Sequence, residues 1–203
     1  MADPELDAAD GGMSSADAER WRAACTLADL GELTAQWLEG KIRSFPGILP
    51  GFGPDEETIH LIPVLATVNR AGFVTEFSQP GMPGDEGGWA QRAAISGYAN
   101  DGTFATLCAA VVGADLMITA GRAGDEDWGT SVTVTLENGE ANTATGGAKS
   151  RLEIADGYGR ACSPVAVDVL GGAWQVALID PVWGRDDQLW PLLEAFAARR
   201  KER

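Results

Sequence analysis

The sequence is poor in the residues that most often carry chemistry. It has one histidine, His60, and three widely separated cysteines, Cys25, Cys108 and Cys162, in 203 residues. No Cys or His lies at zinc-ligand spacing from another, so no metal is expected. A Ser-His-Asp triad would have to use His60, and no GxSxG elbow supports one. An odd, scattered set of cysteines gives no disulfide framework and fits a reducing cytoplasm. No GxGxxG follows a strand pattern. Gly146-Gly147-Ala148-Lys149-Ser150 imitates the tail of a phosphate loop, but Ala148 stands where a glycine must precede the lysine. Acid pairs such as Glu56-Glu57 and Asp125-Glu126 read as solvated surface rather than a catalytic dyad.

Positive charge is scarce too. Fifteen Lys and Arg face thirty Asp and Glu, a formal net charge of −15. Nucleic acid and anionic membrane need clustered cations on the protein, so neither is an expected partner. The acidity favours solubility and a cationic or zwitterionic ligand. No apolar run is long enough to span a bilayer, and the start of the chain lacks the basic-then-apolar pattern of a signal peptide. The cytoplasm is the expected location.

What is present is a chain able to build a core, with 45% hydrophobic residues and seven tryptophans. Its length fits one domain. Met1–Met13 is acidic and unpatterned and reads as a disordered tail, leaving Ser14–Arg203 as a single domain. Ser14 or Ser15 caps a first helix through Trp21, and Thr26-Leu27-Ala28-Asp29 opens a second, to about Glu39. Trp21 and Trp37 read as core. Phe45–Gly53 is a Pro/Gly loop.

The most informative stretch is Glu57–Pro80. Pro54-Asp55-Glu56-Glu57 opens a helix whose Ile59, Ile62, Leu65 and Val68 form the buried stripe, with Pro63 as a kink inside it. Gly72 stops it. Phe73–Phe77 follows as a strand with Phe73, Thr75 and Phe77 on one face and Val74 and Glu76 on the other. So short a connection makes helix and strand antiparallel, which returns Glu57 and Thr58 to the neighbourhood of Thr75 and Ser78. Downstream, the second half of Trp89–Tyr98 reads as a strand and Asp101–Val112 as a helix capped by Asp101. Leu116–Thr119 and Ser131–Leu136 read as strands, the second closed by the turn Glu137–Glu140. Asn142–Gly159 shows no usable period. Val165–Leu170 and Trp174–Ile179 read as a strand pair around Gly171-Gly172, and Asp187–Arg199 as a closing helix. The expected class is α+β, mixed and largely antiparallel sheets flanked by helices.

In this order the elements resemble the carboxy-terminal regulatory domain of eukaryotic methylenetetrahydrofolate reductase, which binds S-adenosylmethionine. There an E-T pair begins a helix ending V-N-R-x-G, followed by an L-T-I-N-S-Q-P strand. Here the counterparts are Glu57-Thr58, Val68-Asn69-Arg70-Ala71-Gly72 and Val74–Pro80. Gly87–Ala93 resembles a family G-G-Y-x-x-Q-K-A segment, and Trp174–Asp180 with Leu189-Trp190 resembles its late strand and helix. The chain is also similar to small stand-alone actinobacterial proteins, a likeness that names no function.

The resemblance implies that Glu57, Thr58, Thr75 and Ser78 contact an S-adenosyl ligand, with Thr133 the counterpart of a further family threonine. It implies S-adenosylmethionine or S-adenosylhomocysteine as ligand or substrate. It also implies no flavin, because the reductase's catalytic barrel needs about 250 residues and has no room here. The expected function is a stand-alone sensing or binding module. One alternative is an enzyme acting on S-adenosylmethionine by cyclisation, elimination or methyl transfer, with Glu76, Glu57 or an ordered water as base. Another is an acidic protein-interaction module without a small ligand. For macromolecular partners, the reading leaves open a homodimer, as in the reductase, or another protein.

Overall fold

Local capping chemistry sets the amino-terminal helices. In the computed structural model, which describes residues 13–48, 51–125 and 131–201, helix α1 runs Ser15–Ala23. Its cap is Ser14, whose Oγ accepts from the Asp17 N–H at 3.2 Å. Helix α2, Leu27–Leu38, opens with a full capping box between Thr26 and Asp29. Residues 1–12 of the expected tail lie outside the described residues, whereas Met13, assigned to that tail, is buried in the core.

The stretch after residue 54 departs from a single helix. Glu56–Leu61 is a 3-10 helix, and helix α3, Ile62–Arg70, begins only after it. Pro63 therefore occupies the first turn of α3, where its missing N–H costs nothing, and makes no internal kink. The tighter 3-10 winding also shifts the phase of the buried stripe. Ile59 is exposed, while Leu61, Val64, Leu65 and Val68 point inward. Gly72 takes φ +93° and turns the chain into β1, Phe73–Gln79.

Two antiparallel sheets follow, which makes the fold α+β. The larger is ordered β1-β3-β7-β4, with β3 spanning Ala94–Ala99, β4 Met117–Gly121 and β7 Trp174–Ile179. The smaller is β2-β5-β6, built from Ala90–Gln91, Val132–Glu137 and Glu140–Thr145. Helices α2 and α3 pack on β1, and helices α4 (Asp101–Val111) and α7 (Leu189–Lys201) pack on each other; α3 also contacts α7. A small apolar cluster, Ala94, Val134, Ala177 and Ile179, joins the opposite face of the large sheet to the small one.

Three expectations in this half need correction. The cap of α4 is Asn100, whose Oδ1 accepts from the Thr103 N–H at 2.8 Å, and Asp101 is already inside the helix. Asn142–Gly159, which showed no period, holds most of β6 and helix α5, Arg151–Tyr158, opened by a Ser150–Glu153 capping box. Pro164–Gly172 is helix α6, not the first strand of a hairpin. Ser163 caps α6, Pro164 suits its first turn, and Ala166 and Leu170 bury one face; these outweigh the strand preference of three valines.

Strand β1 carries a bulge at Glu76. Thr75 faces Gly97, Phe77 faces Ser96 and Ser78 faces Ile95. Because Gly97 and Ile95 are two apart on β3, Thr75 and Ser78 share one face; strict alternation would have separated them. Phe77 goes to the other face, contrary to its expected pairing with Thr75.

Candidate functional site

Thr75 is held before it can meet any ligand. Fully buried Asn69, near the end of α3, donates through Nδ2 to Thr75 Oγ1 at 2.8 Å and to the Leu65 carbonyl at 2.9 Å. Its Oδ1 accepts from the Thr75 N–H at 2.9 Å. This bracket spans the helix-to-strand turn and fixes the Thr75 oxygen, leaving the hydroxyl proton to be donated elsewhere. Glu57, in the 3-10 helix, is steadied from the small sheet, with Gln91 Nε2 at 3.3 Å from Oε2 and 3.5 Å from Oε1. The Thr58 N–H donates to the Asp55 carbonyl at 2.8 Å. Among the described residues, the hydroxyls of Thr58 and Ser78 make no hydrogen bond.

Glu57, Thr58, Thr75 and Ser78 all line one cavity of about 370 Å³. That volume lies within the range of small-molecule sites, roughly 300–1,000 Å³. Apolar side chains make up much of the rest of the lining, with Asp55, Glu76 and Gln79 as further polar members. Thr34, Trp37 and Leu38 of α2 form one side, and Phe45, Ile48 and Phe52 come from the connecting loop. Trp37 and Phe45 meet at 4.9 Å between ring centroids, tilted by 44°. Trp21 is wholly buried, its Nε1–H donating to the Ser44 carbonyl at 2.9 Å. Trp37 is buried too, yet it reaches the cavity, a second role that a reading as core alone missed. The aromatics bordering the Pro/Gly loop were the available signal.

Thr133 is not among the residues lining this cavity. It lies in β5 of the small sheet, where its carbonyl accepts from Arg92 Nη1 at 2.9 Å. His60 is exposed, with Nε2 3.8 Å from Asp186 Oδ2.

Beyond β1 lies a second cavity, of about 340 Å³. Register pairs place Phe77, Ser96, Tyr98, Gln175 and Ala177 on one face of the large sheet, which forms one wall. The other is Ala144–Gly147 with Lys149. Glu76 and Phe77 line both cavities. Glu76 Oε1 accepts from Lys149 Nζ at 2.7 Å and lies 3.4 Å from the Tyr98 hydroxyl and 3.5 Å from that of Tyr158. Burial, reinforced by the Glu76 charge, raises both phenol pKa values well above the usual range, so both remain protonated donors. No sequence pattern announces this cluster, because its members stand 22 to 82 positions from Glu76.

Among the described residues there is no group of three or more His, Cys, Asp or Glu able to hold a metal ion, and no helix is long and apolar enough to cross a membrane. The chain belongs to the family described as domain of unknown function DUF6919, whose model matches residues 16–199. No curated protein matches the sequence.

Proposed function

We propose that this protein binds S-adenosylmethionine or S-adenosylhomocysteine in the cavity of Glu57, Thr58, Thr75 and Ser78, as a stand-alone sensing or binding module. The observation that carries the reading is the convergence of these four residues on one cavity, made possible by the bulge at Glu76. The cavity's mixed lining offers both kinds of contact that such a ligand needs. Trp37, Phe45 and Phe52 offer aromatic surface for a purine. The Glu57 carboxylate accepts from ribose hydroxyls or an ammonium group, and the Thr58 and Ser78 hydroxyls are open to donate or accept. The acidic surface favours the cationic sulfonium form in the approach to the site.

Calorimetric titration with both S-adenosyl compounds tests the reading. Binding is expected, and Glu57→Ala and Ser78→Ala each weaken it by more than about 1 kcal/mol, the scale of one lost charged or buried hydrogen bond. Absence of binding, or unaltered affinity in both variants, overturns it. The Glu76 carboxylate on the cavity wall favours the enzymatic alternative as a second reading. Mass spectrometry of S-adenosylmethionine after incubation separates the two, since a binding module returns the ligand unchanged.

A further inference from the structure

The second cavity has a built polar centre around Glu76 that simple binding of an S-adenosyl ligand in the first cavity does not use. Glu76 Oε1 gathers an ammonium and two phenol hydroxyls, while Oε2 has no donor among the described residues. Tyr98 and Tyr158 are 1% and 4% exposed, so their hydroxyls are fixed parts of the wall. Lys149 is different. Its side chain is 45% exposed and forms a single ion pair, the kind of contact that contributes little because solvent screens it.

The backbone of Lys149 does not depend on that pair. Its N–H donates to Gln175 Oε1 at 2.6 Å, and its carbonyl accepts from Gln175 Nε2 at 2.8 Å. Before it, Gly146 takes φ +105°, and a Cβ there would lie 2.5 Å from Thr119 Oγ1. The loop is thus anchored while the lysine side chain is free to swing out, and the position beside Glu76 is one that an ammonium group already fits.

We propose that the second cavity is a site for a small molecule bearing a primary ammonium group, which replaces the Lys149 ammonium at Glu76. The two phenol hydroxyls lie within donating distance of the same carboxylate oxygen and help to fix its position. Phe77 and Ala177 offer apolar surface to the alkyl part of the ligand. An anion is disfavoured here on two counts. Glu76 repels it, and the Ser150–Glu153 capping box already occupies the amino terminus of α5. This site stands on its own geometry and shares with the first cavity only Glu76 and Phe77.

The test is a two-dimensional NMR titration of the full chain with n-butylamine in its protonated form, with n-butanol and butyrate as matched neutral and anionic probes. Saturable shifts of the Gly97, Gly146 and Gly147 amides are expected with butylammonium alone. Glu76→Gln lowers the affinity at least tenfold. Lys149→Ala removes the internal competitor and raises affinity about two- to fivefold, the factor set by a weak exposed ion pair. Because Lys149 is exposed, that variant folds even if Glu76→Gln does not. No saturable shift in either wild type or Lys149→Ala overturns the proposal. So does saturable binding of butyrate that is lost in Lys149→Ala, which would make the lysine an anion receptor.

Discussion

The two cavities share two residues of one strand and little else. The first is framed mainly by elements that belong to the core, α2, the turn out of α3 and the bracket of Asn69 on Thr75, with exposed Ile48 and Phe52 of the connecting loop at its border. The second hangs on a glycine loop and a half-exposed lysine. Both rest on one irregularity, the bulge at Glu76, which sends Thr75 and Ser78 one way and Phe77 the other. A single extra residue in a strand can therefore supply polar side chains to two sites of unlike rigidity. One of these is preorganised by packing, the other adjustable through a side chain.

The largest effect is expected where the two cavities have a common foundation. Gly97 lies opposite Thr75, beside the bulge, and an added Cβ would sit 2.1 Å from the Val74 carbonyl oxygen. Gly97→Ala is expected to destabilise the fold by about 3 kcal/mol, the upper end of overpacking costs, and to impair both cavities. Urea denaturation with the two titrations above reads this. A variant as stable as wild type would mean that the strands do not approach as closely as described.

A more selective break is Asn69→Ala. It removes both bonds to Thr75 and leaves a buried N–H without its partner, for a loss of about 2–3 kcal/mol. S-adenosylhomocysteine binding should weaken while the butylammonium response stays near its wild-type value. Equal damage to both would show that the cavities are one mechanical unit.

The smallest effect concerns the brace behind the first cavity. Arg70 bonds Glu32 and Glu39, tying α3 to α2. Its guanidinium, followed by Lys41, holds the Glu39 carboxyl at about 2 instead of the ordinary 4.5, and Arg70, followed by Gln36, lowers Glu32 as well. Depressed folded-state values mean that this contribution is complete above about pH 4.5 and is lost as pH falls through about 2. Screening at these partly exposed groups keeps it below about 1 kcal/mol. Denaturation midpoints measured between those pH values should fall less steeply in Arg70→Ala than in wild type, and an unchanged slope would remove the brace from the account.

The legible parts of the sequence were those decided by neighbours along the chain. Ser14, Thr26 and Gly72 announce their turns because caps and left-handed positions are local chemistry. The convergence of Glu57, Thr58, Thr75 and Ser78 was legible through a resemblance and a short helix-to-strand turn. The bulge that completes it leaves no mark, since nothing about Glu76 alone says that a strand will gain a residue there. Strand β6 was hidden because its side chains are mostly exposed and carry no alternating apolar signal. Helix α5 buries only Ile154 and Tyr158, four apart, too few to declare a period. Thr133 matched by position in a family pattern, but it lies in β5 of the small sheet and is not among the residues lining the first cavity.

The placement of β7 bears on how the chain comes to be folded. Strands β3 and β4 do not touch each other; each pairs with β7, which lies between them and ends at Ile179. During synthesis β4 and the β7-facing edge of β3 therefore wait, with backbone donors and acceptors unmatched, until β7 has left the ribosome. Closing the sheet is a late, long-distance event, of the kind that slows folding and lengthens exposure to misassembly. Chains that stop short of Trp174 are expected to emerge as substrates for chaperones and proteases.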